Sequence, residues 1–139
     1  MKTNDLESTI GALMAPGRGI LAADESQATI AKRFEALAIE PTEENRRRYR
    51  QLLFTAPGVM EYISGVILFD ETLRQRADDG RRFVEILVES GITPGIKVDR
   101  GAKPLSGAPG ERITEGLDGC GSAWTSTGHW APVSPSGAP

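Results

Sequence analysis

The chain has 139 residues, a net charge of −3 and a pI near 5.2, which suits one ordinary domain and argues against nucleic acid or an anionic membrane as the main partner. No apolar run approaches the ~18 residues needed to span a bilayer, and the N-terminus lacks a basic-then-apolar signal layout, so a cytoplasmic location is expected. One cysteine and one histidine make neither a disulfide framework nor a metal site, and no metal or cofactor is expected.

Leu6, Ile10, Leu13 and Met14 fall at helical spacing, and Pro16-Gly17 ends that helix. Gly19-Ile20-Leu21-Ala22-Ala23-Asp24-Glu25-Ser26 follows, a short apolar run ending in carboxylates and a hydroxyl. Helical spacing returns over 29–37 through Ile30, Phe34 and Leu37. Thr42 is a natural N-cap, with Glu43 and Glu44 in the first turn of a helix running to Phe54. Arg46, Arg47, Arg48 and Arg50 would give that helix a charged face, with Arg46, Arg47 and Arg48 solvated near Glu43 and Glu44. A second apolar run, 65–69, ends in Asp70 and Glu71, and a helix over 82–89 gathers Phe83, Ile86 and Leu87 on one side. The third run, Gly95-Ile96-Lys97-Val98-Asp99, carries a lysine in its middle, and 103–115 reads as a long Gly/Pro loop.

Three short strands, each entered through glycine and each followed by polar residues, alternate with helices, the βα pattern of a parallel α/β sheet. A doubly wound sheet and a TIM barrel both begin this way. No G-x-G-x-x-G follows a strand, which weakens a dinucleotide reading. Polar residues at all three strand ends favour the barrel, whose chemistry gathers at the C-terminal rim. A complete (β/α)8 barrel needs about 250 residues, so the expectation is an incomplete barrel made of its three N-terminal βα units, with the third strand left as an unpaired apolar edge.

Composition breaks at Gly119. All 16 basic and 19 acidic residues lie within 1–119, whereas Cys120, His129, Trp124 and Trp130 lie in a Gly/Ser/Thr/Pro-rich tail without charge. The expected organisation is a partial barrel domain over 1–119 and an unstructured tail over 120–139.

Five strings in order, from Gly19–Ser26 through Thr42-Glu43-Glu44-Asn45-Arg46-Arg47, Gly65-Val66-Ile67-Leu68-Phe69 and Gly95–Asp99 to Glu115-Gly116-Leu117-Asp118-Gly119, resemble class I fructose-bisphosphate aldolase. Gln27-Ala28 and Asp70 depart from the family's usual residues. The resemblance implies a lyase of glycolysis and gluconeogenesis that cleaves fructose 1,6-bisphosphate through a lysine Schiff base, without a metal. It implies that Asp24 lies beside the reacting carbons and that Lys97 is a cationic contact in the site. Ser26 and Thr29 would bind a substrate phosphate near a helix N-terminus, with Lys32 and Arg33 as further cations. A homo-oligomer is expected of full-length members. The Schiff-base lysine falls beyond the matched part, so this chain alone is expected to be inactive.

Read without the resemblance, Asp24 and Ser26 are a helix cap, Lys97 is a snorkelling surface lysine, and Cys120 and His129 are inert. A non-catalytic phosphate-binding fragment, or one that pairs with aldolase subunits, is the alternative function, and an unrelated phosphate-binding βα domain the third.

The tail also carries a second reading. Shifting the frame by one base permits LRERLDEYRALGARFAKWRA over 120–139, an amphipathic segment ending in the Phe-Ala-Lys-Trp-Arg strand the family has next. The expectation is that residues 120–139 arise from a one-base deletion.

Overall fold

Alternation along the central strand sets the layering of the protein. In the computed structural model, which describes residues 3–116, helix α1 (Thr3–Leu13) leads into strand β1 (Gly19–Ala23), helix α2 (Gln27–Glu35) and helix α3 (Glu43–Phe54). A one-turn helix α4 (Val59–Tyr62) precedes β2 (Ile63–Leu68), followed by α5 (Asp70–Arg74), α6 (Phe83–Glu89) and β3 (Thr93–Ile96). The strands form a parallel sheet in the order β1-β2-β3, with Ala23 level with Leu68 and Leu68 level with Ile96. Because successive side chains alternate between faces, Ser64, Val66 and Leu68 point to the same side and are all buried.

That side carries the core: Ala23, Val66 and Leu68 from the sheet pack with Phe54, Phe83, Val84, Ile86, Leu87 and Ile92. Phe54 and Phe83 meet edge to face at 5.4 Å, and each side chain of this size contributes about 1.5–3 kcal/mol on full burial. On the opposite face Ile20 is half exposed and Gly95 is exposed. Gly65, on that face, leaves little room for a side chain: a Cβ there would lie 2.5 Å from Leu13 Cδ2, which would have to swing aside, and 3.3 Å from the Thr93 carbonyl. The Ser64 hydroxyl donates to the Leu13 carbonyl at 2.7 Å and lies 3.2 Å from that of Gly19, tying the end of α1 to the sheet.

The chain divides into two units at Lys97/Val98. In the second, β4 (Ala102–Pro104) and β5 (Arg112–Thr114) pair antiparallel. Gly116, at φ 139°, closes against the Val98 carbonyl, where a Cβ would lie only 2.4 Å away.

Several expectations are corrected. The 103–115 loop contains the β4–β5 hairpin. The third strand ends at Ile96, so Lys97 is the first residue beyond its C-terminal end rather than its middle, although the Lys97 N–H still bonds the Leu68 carbonyl at 2.9 Å. Among the three sheet strands only β1 begins at glycine. Among the described residues no helix follows β3, so the third βα unit is seen only as its strand. The expected boundary at Gly119 and the tail 120–139 lie outside the described residues.

Candidate functional site at the C-terminal edge of the sheet

Each expected site residue lies just past a strand or on the helix that follows. Asp24 is one residue beyond Ala23 of β1, and Lys97 one beyond Ile96 of β3. Ala23 and Ile96 share the helix-covered face with Leu68, so alternation turns both Asp24 and Lys97 to the opposite face. Strands β1 and β3 are second neighbours, about 9.5 Å apart, and only a long side chain reaching towards a short one can bridge that gap. Lys97 Nζ reaches Asp24 Oδ2 at 3.3 Å, with both side chains about a quarter exposed.

Alternation returns Glu25 to the helix side, where it is gripped. Arg50, 1 % exposed, pairs with Glu25 Oε2 through Nη1 and donates from Nη2 to the Glu25 backbone carbonyl at 3.0 Å. Arg33 pairs with Glu25 Oε1 and donates to the Tyr49 hydroxyl at 3.1 Å, and the Tyr49 ring packs edge to face on Phe34. Burial pushes the Glu25 carboxyl up, but hydrogen bonds from Arg50 and its own backbone, with the charges of Arg50 and Arg33, outweigh it and hold the group below the ordinary carboxylate range.

Ser26 is the N-cap of α2: its Oγ accepts the Thr29 N–H at 3.3 Å and lies 3.1 Å from Thr29 Oγ1. The two hydroxyls expected to share a phosphate are thus adjacent, at the positive end of a helix. Lys32 and Arg33 sit in the last turn of α2. Arg33 turns to Glu25 and Tyr49, whereas Lys32 is exposed. The structure brings Asp24 to Lys97, Ser26 to Thr29 and Arg33 to Glu25, and it leaves Lys32 outside these pairs.

The expected solvated arginine face is corrected. Only Arg48 of the four is exposed, paired with Glu44 at 2.9 Å. Arg46 binds Glu71 through two 2.8 Å bonds, and Gln27 donates to the same carboxylate at 2.8 Å. The Arg46 hydrogen bond leads in holding Glu71 below its ordinary range, against burial. Arg47 joins Glu44 and Asp78, beside a cleft of 740 Å³ lined in part by Arg74, Gln75 and Arg76. Gln27 and Asp70, where the chain departs from the family's usual residues, both hold partners: Glu71 for Gln27, and Arg74 on α5 for Asp70. Sequence reasoning missed Glu25 and Arg50. The signal was the four-residue spacing of Arg46, Arg50 and Phe54, which puts the arginines on the stripe that buries Phe54.

Among the described residues no cluster of three or more His, Cys, Asp or Glu is placed to hold a metal, and no helix is long and apolar enough to cross a membrane. The structure is thus that of an α/β protein with an amine and a carboxylate facing each other at the C-terminal end of parallel strands, beside a hydroxyl-capped helix start.

Comparisons with known proteins sharpen that class. The family model described as fructose-bisphosphate aldolase class-I matches residues 5–126. A probable fructose-bisphosphate aldolase class 1 of Xanthomonas campestris is 59 % identical over 119 residues, covering 86 % of this chain and 36 % of the relative. The cytosolic fructose-bisphosphate aldolase 7 of Arabidopsis thaliana is 54 % identical over 119 residues, covering 86 % and 33 %. The fructose-bisphosphate aldolase of Plasmodium falciparum, solved with TRAP and a small-molecule inhibitor, superposes with a TM-score of 0.81 at 44 % identity, over 88 % of this chain and 36 % of that one. The chain belongs to the class I fructose-bisphosphate aldolase family. It spans about a third of the length of the curated relatives it matches.

Proposed function

We propose that this chain supplies the first three strands of an aldolase (β/α)8 barrel and, with them, part of a site that cleaves fructose 1,6-bisphosphate into dihydroxyacetone phosphate and glyceraldehyde 3-phosphate. The observation that carries this reading is the 3.3 Å approach of Lys97 Nζ to Asp24 Oδ2 across the C-terminal strand ends. In the reaction, a lysine from the remainder of the barrel attacks the ketone carbon and water leaves. The resulting iminium accepts the electron pair of the C3–C4 bond as a base takes the C4 hydroxyl proton and the aldehyde departs, and the enamine left behind is protonated at C3 and hydrolysed by water. Asp24 orients that lysine and the sugar hydroxyls, accepting their hydrogen bonds. Lys97 places a fixed positive charge beside them, where a bisphosphate carrying about four negative charges enters. Ser26 and Thr29 present hydroxyls and the α2 N-terminus to one phosphate, and Lys32 and Arg33, in the last turn of the same helix, add positive charge to its exposed side. The working enzyme is a cytoplasmic homo-oligomer.

A polypeptide of these 139 residues and no more holds no Schiff-base lysine under this reading and turns over no substrate. Residues 120–139 are read as the product of a one-base deletion, and resequencing the DNA across 117–139 and beyond tests that: an extra base makes the tail an artefact, an unaltered sequence that continues the family's residues in the shifted frame marks a broken gene, and no such continuation would sink the reading. Function is tested by a chimera in which residues 1–119 replace the matching segment of the Xanthomonas relative. Cleavage of fructose 1,6-bisphosphate within about tenfold of the parent is expected. A folded chimera without turnover would defeat the reading.

A further inference from the structure

Glu25 lies between Asp24 and the helix cap Ser26, so whatever fixes Glu25 fixes the backbone on which both are carried. Arg50 fixes it twice. One Nη group pairs with the Glu25 carboxylate, and the other donates to the Glu25 main-chain carbonyl at 3.0 Å. The carboxylate contact alone, at the end of a flexible side chain, would leave the peptide free to rotate. Adding the carbonyl contact locks the peptide that joins Glu25 to Ser26. Arg50 is itself enclosed: it is 1 % exposed on α3, one turn ahead of the buried Phe54, with its guanidinium carbon 5.5 Å from the Tyr49 ring centre.

We propose that Arg50 is a positioning residue: by clamping both the side chain and the backbone of Glu25, it holds the 24–26 segment so that Asp24 stays within reach of Lys97. The inference rests on the reading of Asp24 and Lys97 as the reacting edge, and it adds the group that keeps that edge in register. The planar guanidinium fork is required, because two acceptors in fixed geometry must be met at once. Arg33, 55 % exposed, also pairs with Glu25. Its departure towards a phosphate would still leave Glu25 compensated by the buried Arg50, so the clamp survives ligand binding.

The test is zero-length carbodiimide coupling in the 139-residue chain, with the Asp24–Lys97 amide quantified by peptide mass spectrometry. Asp24→Asn abolishes that product and serves as the control. A wild-type chain that forms none of it refutes the pairing in the proposed function, whatever Arg50 does. Arg50→Lys keeps the charge but reaches only one acceptor, so the yield is expected to fall to about half or less while the chain stays folded by circular dichroism. The double variant Arg50→Met, Glu25→Gln removes the buried charges together; its melting temperature should recover relative to Arg50→Met alone while the yield stays low. A wild-type yield in either folded variant overturns the inference. Loss of fold in both also overturns it, because the clamp would then be structural only.

Discussion

Asp24 and Glu25 are neighbours in sequence with the same chemistry, yet they occupy opposite sides of the sheet and opposite regimes. Glu25 is saturated: Arg50, Arg33 and Tyr49 all reach its carboxylate, and its side chain is 10 % exposed. Asp24 pairs with Lys97 at 3.3 Å and keeps a quarter of its side chain in solvent. Strand alternation alone sends the two carboxylates to different faces. What surrounds them then decides which is enclosed in the fold and which stays open to solvent. A carboxylate enclosed by guanidinium groups cannot accept a new ligand without losing one it has, whereas one facing a single flexible lysine can.

Breaking the enclosed side should cost most. Arg50→Met leaves Glu25 without its buried counter-charge and should destabilise the chain by about 3–5 kcal/mol, read as the shift in a denaturant midpoint. A loss below 1 kcal/mol would place Glu25 in the same regime as Asp24 and erase the contrast. Arg46→Met, which strips two charged hydrogen bonds from Glu71, is expected to cost about 1.5–3 kcal/mol by the same assay.

Acid should act on the same side. Glu25 and Glu71 both have folded values held below their ordinary 4.5. A depressed folded value gives stability that is complete above the unfolded value and lost as pH falls through the folded one. The midpoint should therefore be level above about pH 5.5 and decline progressively below 4.5, with Glu25→Gln flattening the decline. An equally steep acid limb in Glu25→Gln would assign the effect to other carboxylates. Gln27→Thr removes the single bond to Glu71 and should cost only about 0.5–1 kcal/mol. At the open side, Asp24→Asn should change stability by no more than about 0.5 kcal/mol.

Much of this fold could be read from residue order because the governing signals are local. Thr42 caps α3 through the Asn45 N–H as its position suggested, and Phe83, Ile86 and Leu87 form one buried face of α6. The parallel sheet follows from three apolar runs separated by helices. Four short elements escaped: α4 and α5 are too short for periodicity to register, and β4 and β5 are exposed along their whole length, without the apolar alternation that marks a half-buried strand. The position of Lys97 was misjudged by strand length, since the apolar run continues to Val98 while the ladder's strand stops at Ile96. Asp24 was visible as a carboxylate at a strand end and Lys97 as a lysine within a strand, but their contact spans two strands and depends on register. Arg50 was half hidden by composition: among four arginines in five positions, its four-residue spacing to Phe54 marks the buried stripe, but nothing local names a partner 25 residues earlier.

The most direct trial compares the two neighbours inside the active chimera by kcat/KM on fructose 1,6-bisphosphate. Asp24→Asn should lower kcat/KM by at least about 100-fold with the melting temperature unchanged, whereas Glu25→Gln should lower the melting temperature and leave a larger share of activity. If Asp24→Asn stays within about twofold of the parent, Asp24 takes no part in the chemistry and the assignment of this strand-end site is wrong.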